Sequence, residues 1–120
     1  MIDHIRLNVA DFAASRAFYV RALAALGMEV VMEFGSGAGF GREGKPAFWI
    51  WAGEPSGPIH IAFTSPDRAT VEKFHRQATA AGGVDNGPPG LRLDYHPSYY
   101  GAFVLDPDGN NVEAVTHRPE

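Results

Sequence analysis

Three side chains in this sequence, His4, His60 and Glu113, are of the types that hold a divalent metal ion. Each histidine lies in a segment that alternates between two kinds of face. His4 goes with Arg6 and Asn8, against Ile5, Leu7 and Val9; His60 goes with Ala62 and Thr64, against Ile59, Ile61 and Phe63. Alternation of period two marks a strand with one face in a core and the other free. Glu113 shares a face with Asn111 and Val115 in the last such segment, while Val112 and Ala114 take the other face. A carboxylate in mid-strand is costly to bury unless it is paired or bound to a metal. If the inner faces line one cavity, Glu113 can meet both histidines. Two imidazoles and one carboxylate form a facial ligand set that suits Fe(II), and Mn(II), Zn(II) or Ni(II) accept it too. Three protein ligands leave positions open for water and substrate, the catalytic rather than the structural pattern.

Taken singly, these residues have plainer readings: His4 as an edge residue near the terminus, His60 and Glu113 as ordinary strand positions. What links them is an internal repeat. At an offset of 56 residues His4 falls on His60, Ile5 on Ile61, Leu7 on Phe63 and Asp11 on Asp67. Phe18 likewise meets Phe74, Ala22 meets Ala78, and Gly27 meets Gly83. Two histidines at equivalent positions therefore share a symmetry reason to converge.

The elements that must position them follow from periodicity and punctuation. Ile2–Val9 reads as a strand, Asp11 as the N-cap of a helix running to about Leu26, and Gly27 as its stop. Met28–Phe34 and Pro46–Ala52 read as strands, with the Gly-rich stretch Gly35–Gly41 as a flexible turn lipping the cavity. After the break at Gly53–Pro58 comes a strand at Ile59–Thr64 and a helix capped by Asp67, ending near Ala81 before Gly82–Gly83. Strands near Leu91–Tyr95, Tyr99–Leu105 and Asn110–Thr116 follow, the last two joined by the Asp106–Gly109 turn. The predicted fold is α+β: one domain over 1–120 built from two βαβββ modules, about 1–56 and 57–120. In each module a helix covers one face of a curved mixed sheet, and the other face is free to curve round a cup-shaped cavity.

Composition narrows the function. The 120 residues suit one compact domain, and 45% hydrophobic content is a globular value. A net charge of −4, with basic residues scattered, argues against nucleic-acid binding. The chain has no cysteine, so any metal must be held by His, Asp or Glu. No apolar run is long enough to span a membrane, and the N-terminus lacks signal-peptide character, which predicts a cytoplasmic protein.

Three segments carry a family resemblance: HIRLNVADF followed by SRAFY, then HIAF, and FVLDPDGNNVEAV. They resemble the glyoxalase/bleomycin-resistance/dioxygenase group of the vicinal oxygen chelate superfamily, over essentially the whole chain. The resemblance implies paired βαβββ modules around a divalent metal, with ligands on the first and last strands of the modules. Carried over by position these are His4, His60 and Glu113. It also implies a homodimer, which would cover open sheet edges. The resemblance departs at Trp49, which aligns with Glu113 in the repeat and replaces the glutamate that glyoxalase I uses as ligand and base. Indole is a donor only, which argues against glyoxalase I activity.

The remaining conspicuous residues are read from their faces. Trp49 and Trp51 belong on the cavity side as packing or as a wall for a planar or apolar substrate, with Phe48 and Ile50 against a helix. Arg6 and Asn8 share the His4 face and are candidates to contact substrate oxygens. Tyr99 and Tyr100 precede the seventh strand; Tyr100 is the candidate to polarise a substrate oxygen beside Glu113, and Tyr99 to contact substrate. His96 reads as a loop residue, His75 and His117 as solvent-facing bystanders. The expected function is a metal-dependent enzyme on a small molecule with vicinal oxygens, by lyase, isomerase, thiol-transfer or dioxygenase chemistry. A thiol such as glutathione is an admissible cosubstrate. The alternative is a metal-free binding module that sequesters a small molecule, as bleomycin-resistance proteins do.

Overall fold

The computed structural model describes residues 1–120. Its elements run β1 (Ile5–Val9), α1 (Phe12–Ala24), β2 (Glu29–Phe34), β3 (Gly37–Arg42), β4 (Lys45–Ala52), β5 (His60–Thr64), α2 (Arg68–Ala80), β6 (Val84–Leu91), β7 (Tyr100–Leu105) and β8 (Asn111–Thr116). Both helices start where the sequence places them. The Asp11 carboxylate accepts from the Ala14 amide at 3.0 Å, and Asp67 accepts from Thr70 at 2.8 Å. These caps satisfy amides that a first helical turn leaves unpaired.

The strands form two four-stranded sheets of identical topology, β1-β4-β3-β2 and β5-β8-β7-β6. In each, the first strand runs parallel to the fourth and the other neighbours are antiparallel. Helix α1 lies on the first sheet, α2 on the second, and the helices pack on one another. Phe18, Tyr19, Phe40, Phe48 and Phe74 are buried in one cluster that also takes in Val104 and Val112. The Phe48 and Phe63 rings meet edge to face at 5.4 Å across the two sheets.

A buried polar joint ties the halves. Asp106 begins the β7–β8 turn and is 4% exposed. Its carboxylate accepts from the amides of Asp108 and Asn110, from the Asn110 side chain, and at 2.5 Å from the Tyr19 hydroxyl of α1. Burial, and then the charge of Asp106, pushes the Tyr19 phenol well above its ordinary range.

Two expectations need correction. The stretch read as a turn over Gly35–Gly41 is largely strand β3, with the turn confined to its start. Its glycines recur at every second residue, so they share one face, and the reason lies on the neighbouring strand. A Cβ at Gly37 would come within 2.3 Å of the Trp51 ring, and one at Gly39 within 2.9 Å of the Trp49 ring. Second, β6 is Val84–Leu91 and not Leu91–Tyr95. Its sequence VDNGPPGL has poor strand propensity, but it is an edge strand with irregular register against β7, where proline is tolerated. None of the three cavities is lined by both His4 and Glu113.

Tyr19→Phe should cost about 1–2 kcal/mol and Asp106→Ala on the order of 3 kcal/mol or more, because the latter strands several donors. Urea titration at unchanged slope checks this. A raised folded-state phenol contributes stability that is complete below the unfolded value and fades as pH rises. Wild-type stability should therefore fall above about pH 10, where unfolded tyrosine ionises, and less steeply in Tyr19→Phe.

Candidate functional site

The open face of the second sheet carries a buried carboxylate. Glu113 is fully buried, in register with Ala62 on β5 and Phe103 on β7. Its Oε1 lies 2.7 Å from His60 Nε2, and its Oε2 accepts a hydrogen bond from the Tyr99 hydroxyl. The space is close-fitting: a Cβ at Gly101 would lie 3.1 Å from Glu113 Oε2 and 3.3 Å from the Tyr99 ring. The His60 side chain is 53% exposed, so the pair faces outward. Burial, followed by the hydrogen bond to Glu113 and its negative charge, pushes the Tyr99 phenol well up. Tyr99 is thus a neutral donor throughout the physiological range.

The open face of the first sheet is aromatic. Arg6 pairs in register with Trp49, and Asn8 with Trp51. The indoles lie over Gly39 and Gly37, and Phe34 stacks on Trp49 at 6.0 Å with 9° between planes. The Arg6 guanidinium sits 4.7 Å above the Trp51 ring. A cavity of about 460 Å³ opens here, walled by Trp49, Trp51 and Phe34, with His4, Arg6 and Lys45 among its polar lining. His4 bonds Asp3 at 2.7 Å, which holds the Asp3 carboxyl below its ordinary value. Asn8 is turned to the neighbouring loop, donating to the Glu54 carbonyl at 3.4 Å.

The residues expected to form one site therefore divide between two faces. His60, Glu113 and Tyr99 meet on the second sheet; His4, Arg6, Trp49 and Trp51 meet on the first. No group of three or more His, Cys, Asp or Glu side chains able to hold a metal forms within the chain. The His60 and Glu113 pair fits as two ligands of a divalent ion by donor type and proximity, and lacks a third. The structure also equates Trp49 with Glu113: their β1 and β5 partners, Arg6 and Ala62, are equivalents in the repeat.

Tyr100 is not at the site. Strand alternation turns it toward α2, where its hydroxyl donates to Glu72 at 2.6 Å and Arg68 lies over its ring. Tyr99, one residue earlier, holds Glu113 instead. His96 lies in the loop before β7, as expected, whereas His117 is not a bystander: its ring packs edge-on to Tyr99 at 5.1 Å and to His96 at 5.6 Å. His75 pairs with Asp85 at 2.9 Å. Sequence reasoning missed Phe34 and Lys45 as cavity walls and Gly101 as the space for Glu113. The period-two glycines of β3 were a legible signal for the first sheet; no local signal marks Gly101.

Comparison with known proteins accords with these motifs. The family model of the Glyoxalase/Bleomycin resistance protein/Dioxygenase superfamily matches residues 1–114. The uncharacterized protein YqjT of Bacillus subtilis (strain 168) is 29% identical over 129 residues, covering 95% of this chain and 97% of its own. The crystal structure of a glyoxalase/bleomycin resistance protein from Albidiferax ferrireducens superposes with a TM-score of 0.80 at 26% identity, covering 94% of this chain and 95% of that one. That of a lactoylglutathione lyase from Agrobacterium tumefaciens has a TM-score of 0.69 at 19% identity, covering 96% and 92%, a likeness of fold alone.

In Glu113→Gln the negative charge beside Tyr99 is gone, leaving burial as the main upward influence. The Tyr99 phenol should then titrate closer to its ordinary value than in wild type. Phenolate absorbance against pH, with Tyr99→Phe subtracted, measures this; an unchanged titration would free Tyr99 from control by Glu113.

Proposed function

We propose that this chain, which belongs to the Glyoxalase/Bleomycin resistance protein/Dioxygenase superfamily, is a metal-dependent enzyme acting on a small molecule with two adjacent oxygens. The observation that carries the reading is Glu113: a fully buried carboxylate on an open sheet face, beside the exposed imidazole of His60. Burying a carboxylate there is costly, and metal ligation is one reason to accept the cost. The pair supplies two ligands. The third is His4, and since one chain does not assemble the three, we assign it to a second copy in a homodimer. Its first-sheet face would then complete the cavity over the second sheet of its neighbour.

Bound there, a divalent ion such as Fe, Mn, Zn or Ni supplies Lewis-acid polarisation of substrate oxygens. The chain's own residues do the rest. Tyr99 holds one oxygen of Glu113 and so fixes the direction of the other. Arg6, exposed on the first sheet, is placed to take a substrate oxygen, and Trp49 and Trp51 exclude water from one wall. Trp49 stands where the repeat would put a second carboxylate, so the proposal excludes the glyoxalase I ligand set and its base. The metal-free binding module is the second reading. It is favoured by one observation: both Glu113 oxygens already have partners within the chain.

The decisive experiment mixes two inactive variants. His4→Ala and His60→Ala should each lose the divalent metal measured by mass spectrometry. After co-refolding in equal amounts, heterodimers regain one intact site each, restoring about a quarter of wild-type metal content and turnover. No recovery, with wild type binding metal, would place the whole site within one chain. No metal in wild type after anaerobic reconstitution would leave the binding module.

A further inference from the structure

We propose that the open face of the first sheet is a stacking site for a flat aromatic ring carrying one anionic group, with the ring against Trp49 and the anion at Arg6. The proposal deepens the reading above and rests on it for the claim that this face lines the substrate cavity. The floor is built for a ring. Glycines at 37 and 39 remove every side chain that would hold the indoles off the backbone of β3, so both lie over the strand. Phe34 stacks on Trp49 at 6.0 Å and tilts against Trp51 at 6.3 Å, which steadies the two indoles from the far edge. Trp49 and Trp51 are partly exposed and Phe34 is 52% exposed, so apolar aromatic surface reaches the cavity. The volume of about 460 Å³ is within the range of small-molecule pockets.

The charge is set by the rim. Arg6 lines the cavity without a carboxylate salt bridge, whereas the acidic Asp3 is engaged by His4 at 2.7 Å and faces the charge of Lys45. Stacked over Trp51, the Arg6 guanidinium is held in place with donors left for a ligand. A ring lying beside it against Trp49 would bring a carboxylate or phenolate edge to the cation. The repeat supports a division of labour. Where the second sheet carries Glu113, the first carries Trp49, so one module presents ionic groups and the other a ring surface.

The two tryptophans of the chain both lie in this cavity, so their fluorescence reports on it alone. Chelator-treated protein titrated with 2-naphthoate should show saturable quenching, confirmed by calorimetry. Cyclohexanecarboxylate, of equal charge but not flat, should bind at least about tenfold more weakly, as should 2-naphthoate to Arg6→Met, which loses a charge-assisted contact. Trp49→Leu, followed by calorimetry, should weaken 2-naphthoate more than cyclohexanecarboxylate. Equal affinity for the two acids, or Arg6→Met binding as wild type does, would overturn the proposal. So would the lack of saturable binding, or fluorescence that follows protein concentration instead of ligand, which would make the face a contact between copies. Metal content is measured without naphthoate and naphthoate binding without metal, so failure of either proposal is seen separately.

Discussion

Asp106 is the joint on which the arrangement of this molecule depends. It is a buried carboxylate that would be untenable alone, and its solution is to gather donors from both halves of the chain. Three come from its own turn and fix the Asp-Pro-Asp-Gly-Asn geometry that reverses β7 into β8. A fourth, the Tyr19 hydroxyl, comes from the helix of the other module. The Tyr19 ring below that hydroxyl lies 4.9 Å from both Phe18 and Phe48, so the polar joint and the aromatic core share one residue. The register of β8 sets the face to which Glu113 belongs, and the turn sets that register. The chemistry of the second sheet thus inherits its position from a hydrogen-bonded turn on the other side of the same hairpin.

Against that common framework the two modules have diverged on their open faces and at the edge, where β6 is irregular and joins β7 through a longer loop. Strand order, helix caps and parallel pairing of first and last strands are the same in both. Helix-facing positions are apolar in both, because each helix must cover its sheet. The open faces are under no such constraint. One has Glu113 and His60 with Gly101 as the clearance; the other has Trp49 and Trp51 with Gly37 and Gly39 as the clearance. In each case glycine on the neighbouring strand makes room for a large or charged side chain in mid-sheet.

Much of this was legible in the residues. Period-two alternation, Asp caps and the 56-residue offset led to two βαβββ units, and the observed elements follow them closely. Where the reading slipped, local preference competed with tertiary pairing. VDNGPPGL has no intrinsic reason to be a strand, and becomes one because β7 offers it an edge. The glycines of β3 looked like a turn because glycine usually signals one, and the indoles that require them are ten or more residues away. Tyr99 and Tyr100 are adjacent and chemically identical. Only the phase of the strand decides that one reaches Glu113 and the other Glu72.

What the sequence determined by itself was which side chains share a face on the strands it located: His4 with Arg6 and Asn8, Trp49 with Trp51, and Glu113 with Asn111 and Val115. These are local properties, carried by residue type and by a period of two. What only the tertiary structure decided was which of those faces meet. The helices pack together and leave the two open faces as separate surfaces, with His60 and Glu113 on one and His4 on the other. Alternation places a side chain on one side of its own sheet, but the packing of one sheet against another depends on contacts between residues far apart in the chain, and no local period encodes them.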